Sequence, residues 1–120
     1  MSEADTIVAL ATPAGESAIG IVRLSGEACL TLPQSIFNRP TPTPRKAHLA
    51  TYLSLSGEPL DEALFIFFEK NRSYSSEPSL EIFCHGNPLI LSKVIDDLIA
   101  RGCRLAQPGE FTRRAFVSGR

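Results

Sequence analysis

Few residues in this 120-residue chain are equipped for chemistry, and two of those are charged side chains set inside apolar runs. Arg23 stands near the end of Ala18–Leu24 (AIGIVRL), and Glu81 stands inside Ser79–Cys84 (SLEIFC). A buried carboxylate is costly unless it is paired or hydrogen-bonded. Glu81 therefore has two readings. It is a solvent-facing residue on a half-exposed sheet, or a carboxylate that accepts two parallel N–H bonds from an amidine-like ring such as pterin or guanine. Arg23 is likewise either a surface ion-pair partner or a fixed fork for a carboxylate.

Cys84-His85 invites a nucleophile–base reading. Adjacent side chains on a strand point to opposite faces, so these two cannot form a dyad with each other. His48 is the only other imidazole. The cysteines Cys29, Cys84 and Cys103 are odd in number and lack CxxC spacing, which speaks against a disulfide framework and against zinc. Buried structural thiols in a reducing cytoplasm are the expectation. His85-Gly86-Asn87, a strand end feeding a helix start, is either a generic anion site or a plain turn. GxxxxGK[ST] and GxGxxG are absent, so no triphosphate is held in a phosphate loop here and no GTP hydrolysis is expected of these residues. The N-terminus has no basic region ahead of an apolar run. No apolar stretch is long enough to cross a membrane.

The elements that must position these residues can be read from periodicity and punctuation. Thr6–Ala11 and Ala18–Leu24 read as strands, separated by a Thr12-Pro13-Ala14-Gly15 turn. Ser25 is placed to cap a short helix over Glu27–Phe37, with Pro33 as a break or kink. Asn38–Arg45 holds three prolines in eight residues and reads as an extended connector. His48–Ser54 and Ala63–Phe68 read as a hairpin across Ser56–Pro59, and Glu69–Pro78 as a surface loop.

In Ser79–Cys84 the alternation puts Leu80, Ile82 and Cys84 on one face, with Glu81, Phe83 and His85 on the other. Asn87-Pro88 opens the strongest helix, whose Leu91, Val94, Ile95, Leu98 and Ile99 share one face; Gly102 stops it. Cys103–Ala106 reads as a short edge strand and Pro108–Ser118 as a last helix. The order β-β-α-β-β-β-α-(β)-α gives an α+β fold: a small mixed sheet with about three helices, mainly on one face.

The length suits one domain over residues 1–120. A net charge of −1 argues against an all-over nucleic-acid binder. The charge is uneven, however. Arg101, Arg104, Arg113, Arg114 and Arg120 face only Glu110 in the last twenty residues. That end is either a solvated helix or a local anion or partner surface.

Three separated segments, taken together, resemble one family. Asp5–Gly26 (DTIVALATPAGESAIGIVRLSG), Arg72–Leu91 (RSYSSEPSLEIFCHGNPLIL) and Arg104–Arg120 (RLAQPGEFTRRAFVSGR) are similar, in order, to DTI-A-ATP-G-AIGI-R-SG, NSYTGEDVVEIHCHGG and R-A-PGEFT-RAF-NGK. These are the motifs of the N-terminal part of the bacterial tRNA-modification GTPases called MnmE or TrmE. The resemblance implies a domain like the folate-binding part of aminomethyltransferases. It also implies homodimerisation and a 5-formyl-tetrahydrofolate-type cofactor near the dimer interface. The family's folate contacts map onto Arg23, Glu81 and Arg120, the last a lysine in most members.

Members continue into a helical domain and a GTPase domain that uses GTP, Mg and K. They act with the flavoprotein MnmG on the wobble uridine of certain tRNAs in the cytoplasm, with no membrane partner. The alternative implied reading is a purely structural dimerisation and MnmG-docking module that holds no folate by itself. The chain departs from the motifs at Glu16-Ser17, at Ser76 (usually Gly), at Pro78 (usually Asp), at Asn87 (usually Gly) and at Arg120.

Overall fold

The computed structural model describes residues 5–11 and 18–117. The strands are β1 (Ile7–Leu10), β2 (Ile19–Ser25), β3 (His48–Leu53), β4 (Pro59–Phe68), β5 (Ser79–His85) and β6 (Arg104–Leu105). The helices are α1 (Leu32–Phe37), α2 (Pro88–Ala100) and α3 (Glu110–Val117). The sheet runs β3-β4-β5-β2-β1-β6. Every pairing is antiparallel except β1 with β6, which makes the sheet mixed as expected.

Period-two patterning decides which face is covered. Val22 and Leu24 of β2, Leu80, Ile82 and Cys84 of β5, Ala63 and Phe65 of β4 and Tyr52 of β3 are buried in one core. α1 adds Leu32, Ile36 and Phe37; α2 adds Leu91, Val94 and Leu98. The Phe37 ring stacks on Phe65 at 4.2 Å and meets Tyr52 edge-on at 5.6 Å. Leu98 is fully buried, and truncating it to Ala would cost about 3 kcal/mol through lost transfer energy and a residual cavity.

α2 is pinned to the β3–β4 hairpin by Asp97. Its carboxylate accepts from the Tyr52 hydroxyl at 2.7 Å, the Leu55 amide at 2.8 Å and Arg101 Nε at 2.8 Å. Arg101 also donates to the Leu53 carbonyl at 2.7 Å. Burial and the bond to Asp97 push the Tyr52 hydroxyl pKa well above its ordinary value.

Local expectations met several corrections. The helix expected over Glu27–Phe37 is divided into a 3-10 turn, Glu27–Leu30, and α1. Pro33 sits in the first turn of α1, where its missing N–H costs nothing, so it starts the helix and does not kink one. Ser25 does not cap; Gly26 holds the cap position without a side-chain bond. A Cβ on Gly26 would fall 2.6 Å from the Thr6 Cα, and its φ of 140° suits glycine alone.

β4 begins at Pro59, four residues before the expected Ala63, with the proline at the first strand position. α3 begins at Glu110, after a turn through Gly109 at φ 74°. The Thr12–Gly15 turn and the end of the last helix at Ser118 lie outside the described residues.

α3 and the 73–77 segment cover one end of the opposite sheet face, where Ile7, Ser25 and Ser79 are buried. Among the described residues, no other helix lies over the rest of that face. Ile21, Phe83, Leu64 and Leu49 stand directly opposite one another across β2, β5, β4 and β3. Leu64 and Leu49 are 42% and 57% exposed. Among the described residues, no helix is long and apolar enough to cross a membrane.

Candidate functional site on the open sheet face

One step along the strands from that apolar row, β2 and β5 bring Arg23 and Glu81 into register. Arg23 donates through Nε to Glu81 Oε2 at 3.0 Å, and its Nη2 lies 2.9 Å from the same oxygen as an ion pair. No described residue donates to Oε1 or accepts from Arg23 Nη1. The Glu81 side chain is 21% exposed, so it is neither sealed nor fully hydrated. The pair satisfies the salt-bridge reading of both residues, and it leaves one edge of each group open.

These two line a cleft of about 160 Å3 with Phe68, Arg72, Tyr74 and Phe111. Phe68 ends β4 and Phe111 comes from the first turn of α3. Tyr74 belongs to the loop before β5 and donates its hydroxyl to Thr112 Oγ1 at 3.3 Å, which ties the loop to α3. An apolar-walled cleft with a few converging polar groups is the ordinary form of a small-molecule site. Flat rings suit aromatic walls, and a fixed carboxylate suits a pair of N–H donors.

The wall is built by a polar network beneath it. Ser25 Oγ meets Ser75 Oγ and donates to Glu77 Oε1 at 2.7 Å. Arg114, almost fully buried, donates to Glu77 at 3.0 Å and to Glu110 at 3.2 Å. Glu110 is also buried and takes a two-pronged bond from Arg104 at 3.0 and 2.7 Å, together with the Gln107 amide at 2.9 Å. The Arg104 hydrogen bonds, with the Gln107 amide, hold the Glu110 carboxyl down at about 2. The bond to Glu110 raises Arg104 in turn. Ser76 takes the left-handed conformation in this loop, φ 64°, which a glycine would adopt without steric cost.

The other candidates separate cleanly. Cys84 faces the core and His85 the far side, as strand geometry requires, so they form no dyad. Burial pushes the Cys84 thiol up to about 12 and Cys103 to about 11, and raises Cys29 further still. All three are free and buried, which suits structural thiols and not nucleophiles. His48 stacks on Phe65, and its Nε2 lies 3.0 Å from the Thr43 carbonyl. His85 Nδ1 lies 2.7 Å from Asp61 Oδ1. Asn87 caps the helix start with its side-chain Oδ1, which accepts from the Leu89 amide at 2.8 Å and the Ile90 amide at 3.3 Å. That resolves His85-Gly86-Asn87 as a capped turn.

Arg120 lies outside the described residues. The other C-terminal arginines each have an acidic neighbour: Arg101 has Asp97, Arg104 has Asp5 and Glu110, and Arg113 and Arg114 share Glu110. The basic stretch is thus largely neutralised from within. Arg72, Tyr74 and Phe111 escaped sequence reading as cleft residues, because a loop and a helix start carry no period that assigns them to a face. The Glu110–Arg114 pair did carry a signal, the four-residue spacing of helical ion pairs.

Fold and cleft together define the class: an α+β sheet domain with α1 and α2 over one face and, on the other, a site walled in part by α3. Residues 6–120 match the family described as "GTP-binding protein TrmE N-terminus". The chain belongs to that family. Proteins named "tRNA modification GTPase MnmE" are similar to it: that of Opitutus terrae is 53% identical over 97% of this chain, that of Aquifex aeolicus 46% over 97%, and that of Geobacter sulfurreducens 43% over 97%. The chain spans 25–26% of the length of these relatives.

Proposed function

We propose that this chain is the folate-binding and dimerising module of a longer tRNA-modification GTPase. The observation that carries the folate reading is the Glu81 carboxylate, steadied on Oε2 by Arg23, open on Oε1, and placed among three aromatic rings. A 5-formyl-tetrahydrofolate-type cofactor fits this chemistry. Its pterin ring offers adjacent N–H donors to Glu81, Phe68, Tyr74 and Phe111 supply apolar walls, and Arg23 Nη1 is left for a carbonyl oxygen. When bound, the folate supplies or accepts a one-carbon unit; the residues here hold and orient it. Arg120 joins the site on the strength of the family resemblance.

The dimerisation reading has its own support. The Leu49–Leu64–Phe83–Ile21 row is an apolar band, exposed at Leu49 and Leu64, of the kind proteins keep for an interface. It equally favours the narrower reading of a structural module that dimerises and docks an MnmG-type flavoprotein without folate. GTP, with Mg and K, belongs on this proposal to segments the relatives have beyond this quarter of their length. The tRNA wobble uridine is the substrate of the whole assembly in the cytoplasm.

Calorimetric titration of 5-formyl-tetrahydrofolate into the chain and into Glu81→Gln separates the two readings. Saturable binding that falls at least about tenfold in the variant supports the folate site, since the amide loses the charge-assisted pair. No binding, or equal affinity for both proteins, overturns it in favour of the structural module.

A further inference from the structure

The cleft is too small for a whole folate. At about 160 Å3 it is below the roughly 300–1,000 Å3 of pockets that enclose drug-sized ligands. A ligand with its ring on Glu81 must leave its remaining length over the rim. Arg72 is at that rim. It lines the cleft, is exposed, and closes the 3-10 turn Lys70–Arg72. Neither Arg72 nor Lys70 pairs its side chain with a described residue. The contrast with the rest of the site is sharp, because Arg23, Arg104 and Arg114 are each held by a carboxylate. The nearest acid in the chain, Glu69, is taken by Arg45 at 3.1 Å.

We infer that the Lys70–Arg72 turn is a subsite for an anionic tail, and that it gives the cleft a preference for ligands whose tail carries several carboxylates. For a folate, this means the poly-γ-glutamyl form over the monoglutamate. The inference rests on the folate reading above and adds a selectivity to it. Arg72 takes the first tail carboxylate in its planar fork, and Lys70 extends the positive turn for the next as a point charge. Both are solvent-exposed, so each ion pair is partly screened and adds a modest increment.

Three probes test this by calorimetry on the intact chain at low salt: tail-less 5-formyl-tetrahydropterin, 5-formyl-tetrahydrofolate monoglutamate and its pentaglutamate. The pentaglutamate should bind about fivefold or more tighter than the monoglutamate, the scale of one or two exposed ion pairs. Arg72→Gln with Lys70→Gln should shrink that ratio below about twofold, and Arg72→Lys should keep part of it. A thermal melt confirms that each variant is folded. If the pterin and both folates bind with no pentaglutamate preference, or the double variant keeps the full ratio, the tail subsite is overturned while the ring site stands. If none of the three binds, the folate reading fails and the inference falls with it.

Discussion

Arg23 and Glu81 stand directly opposite each other on β2 and β5, and the guanidinium closes on a single carboxylate oxygen. A pair built only for stability would gain more from the bidentate geometry that both groups allow. Here the one-oxygen contact holds the carboxylate in place and leaves Oε1 for another donor. The pair is partly exposed, so its removal should be tolerated by the fold. Arg23→Met is expected to change unfolding free energy by less than about 1 kcal/mol in a urea melt, while weakening 5-formyl-tetrahydrofolate binding severalfold. A large stability loss with unchanged binding would identify the pair as structural only.

At Ser76 local geometry and residue type disagree. Its φ of 64° puts a side chain in the left-handed region, in the loop that carries Tyr74 and Glu77. Ser76→Gly should raise stability by about 0.5–1 kcal/mol, since the steric penalty relieved exceeds the chain entropy added. A denaturant midpoint that falls would show that the serine conformation carries no strain.

The sheet and α2 were legible in the sequence because period-two and helical patterns report which face is buried, whereas α1 was misplaced because its reading rested on a Ser25 cap that does not form. Leu80, Ile82 and Cys84 inward with Glu81, Phe83 and His85 outward is one such case, and Leu91, Val94 and Leu98 on α2 is another. What the sequence concealed was partnership across the chain. Ser25 looks like a helix cap from its neighbours, yet its hydroxyl goes to Ser75 and Glu77, fifty residues away. The arginines of the C-terminal stretch look like a basic patch by local count, yet Arg104 also reaches Asp5 and Arg114 reaches Glu77, carboxylates far away in the chain. Arg23 and Glu81 were readable as candidates, but only strand register makes them a pair.

Glu110 gives the wall of the cleft a pH dependence of definite sign. Its carboxyl is lowered from 4.5 to about 2 by hydrogen bonds from Arg104, with smaller help from the Gln107 amide. The folded state therefore binds fewer protons at this site than the unfolded state in that interval. The stability it contributes is complete above about pH 4.5 and is lost as pH falls toward 2. Glu110→Gln should flatten this part of the stability–pH curve. It should also cost about 3 kcal/mol at neutral pH, because Arg114 keeps its charge in a buried place with one acid fewer. An unchanged acid limb in the variant would assign the dependence to other carboxylates.

The three thiols make a kinetic prediction. Burial raises all of their pKa values, and thiolate is the reactive form. With an aromatic disulfide reagent at pH 8, the native chain should show no fast-reacting thiol, and all three should react once it is unfolded. A rapid single-thiol burst in the native state would reopen the nucleophile reading of Cys84.

The open face makes the last prediction. Leu64 is the most suitable probe of the apolar row. It is 42% exposed in the single chain, Phe83 and Leu49 stand opposite it on the neighbouring strands, and it does not line the Arg23–Glu81 cleft. If two copies meet through this face, Leu64→Glu buries an unpaired carboxylate at the contact, a penalty of several kcal/mol that a dimer of moderate affinity does not survive. Sedimentation velocity should then show a dimer for the unaltered chain and a monomer for the variant. The unfolding free energy of the monomer should shift little, because the residue is on an uncovered face. Dimers persisting in Leu64→Glu would move the interface elsewhere on the molecule, and a monomer in both proteins would remove dimerisation from the function of this chain.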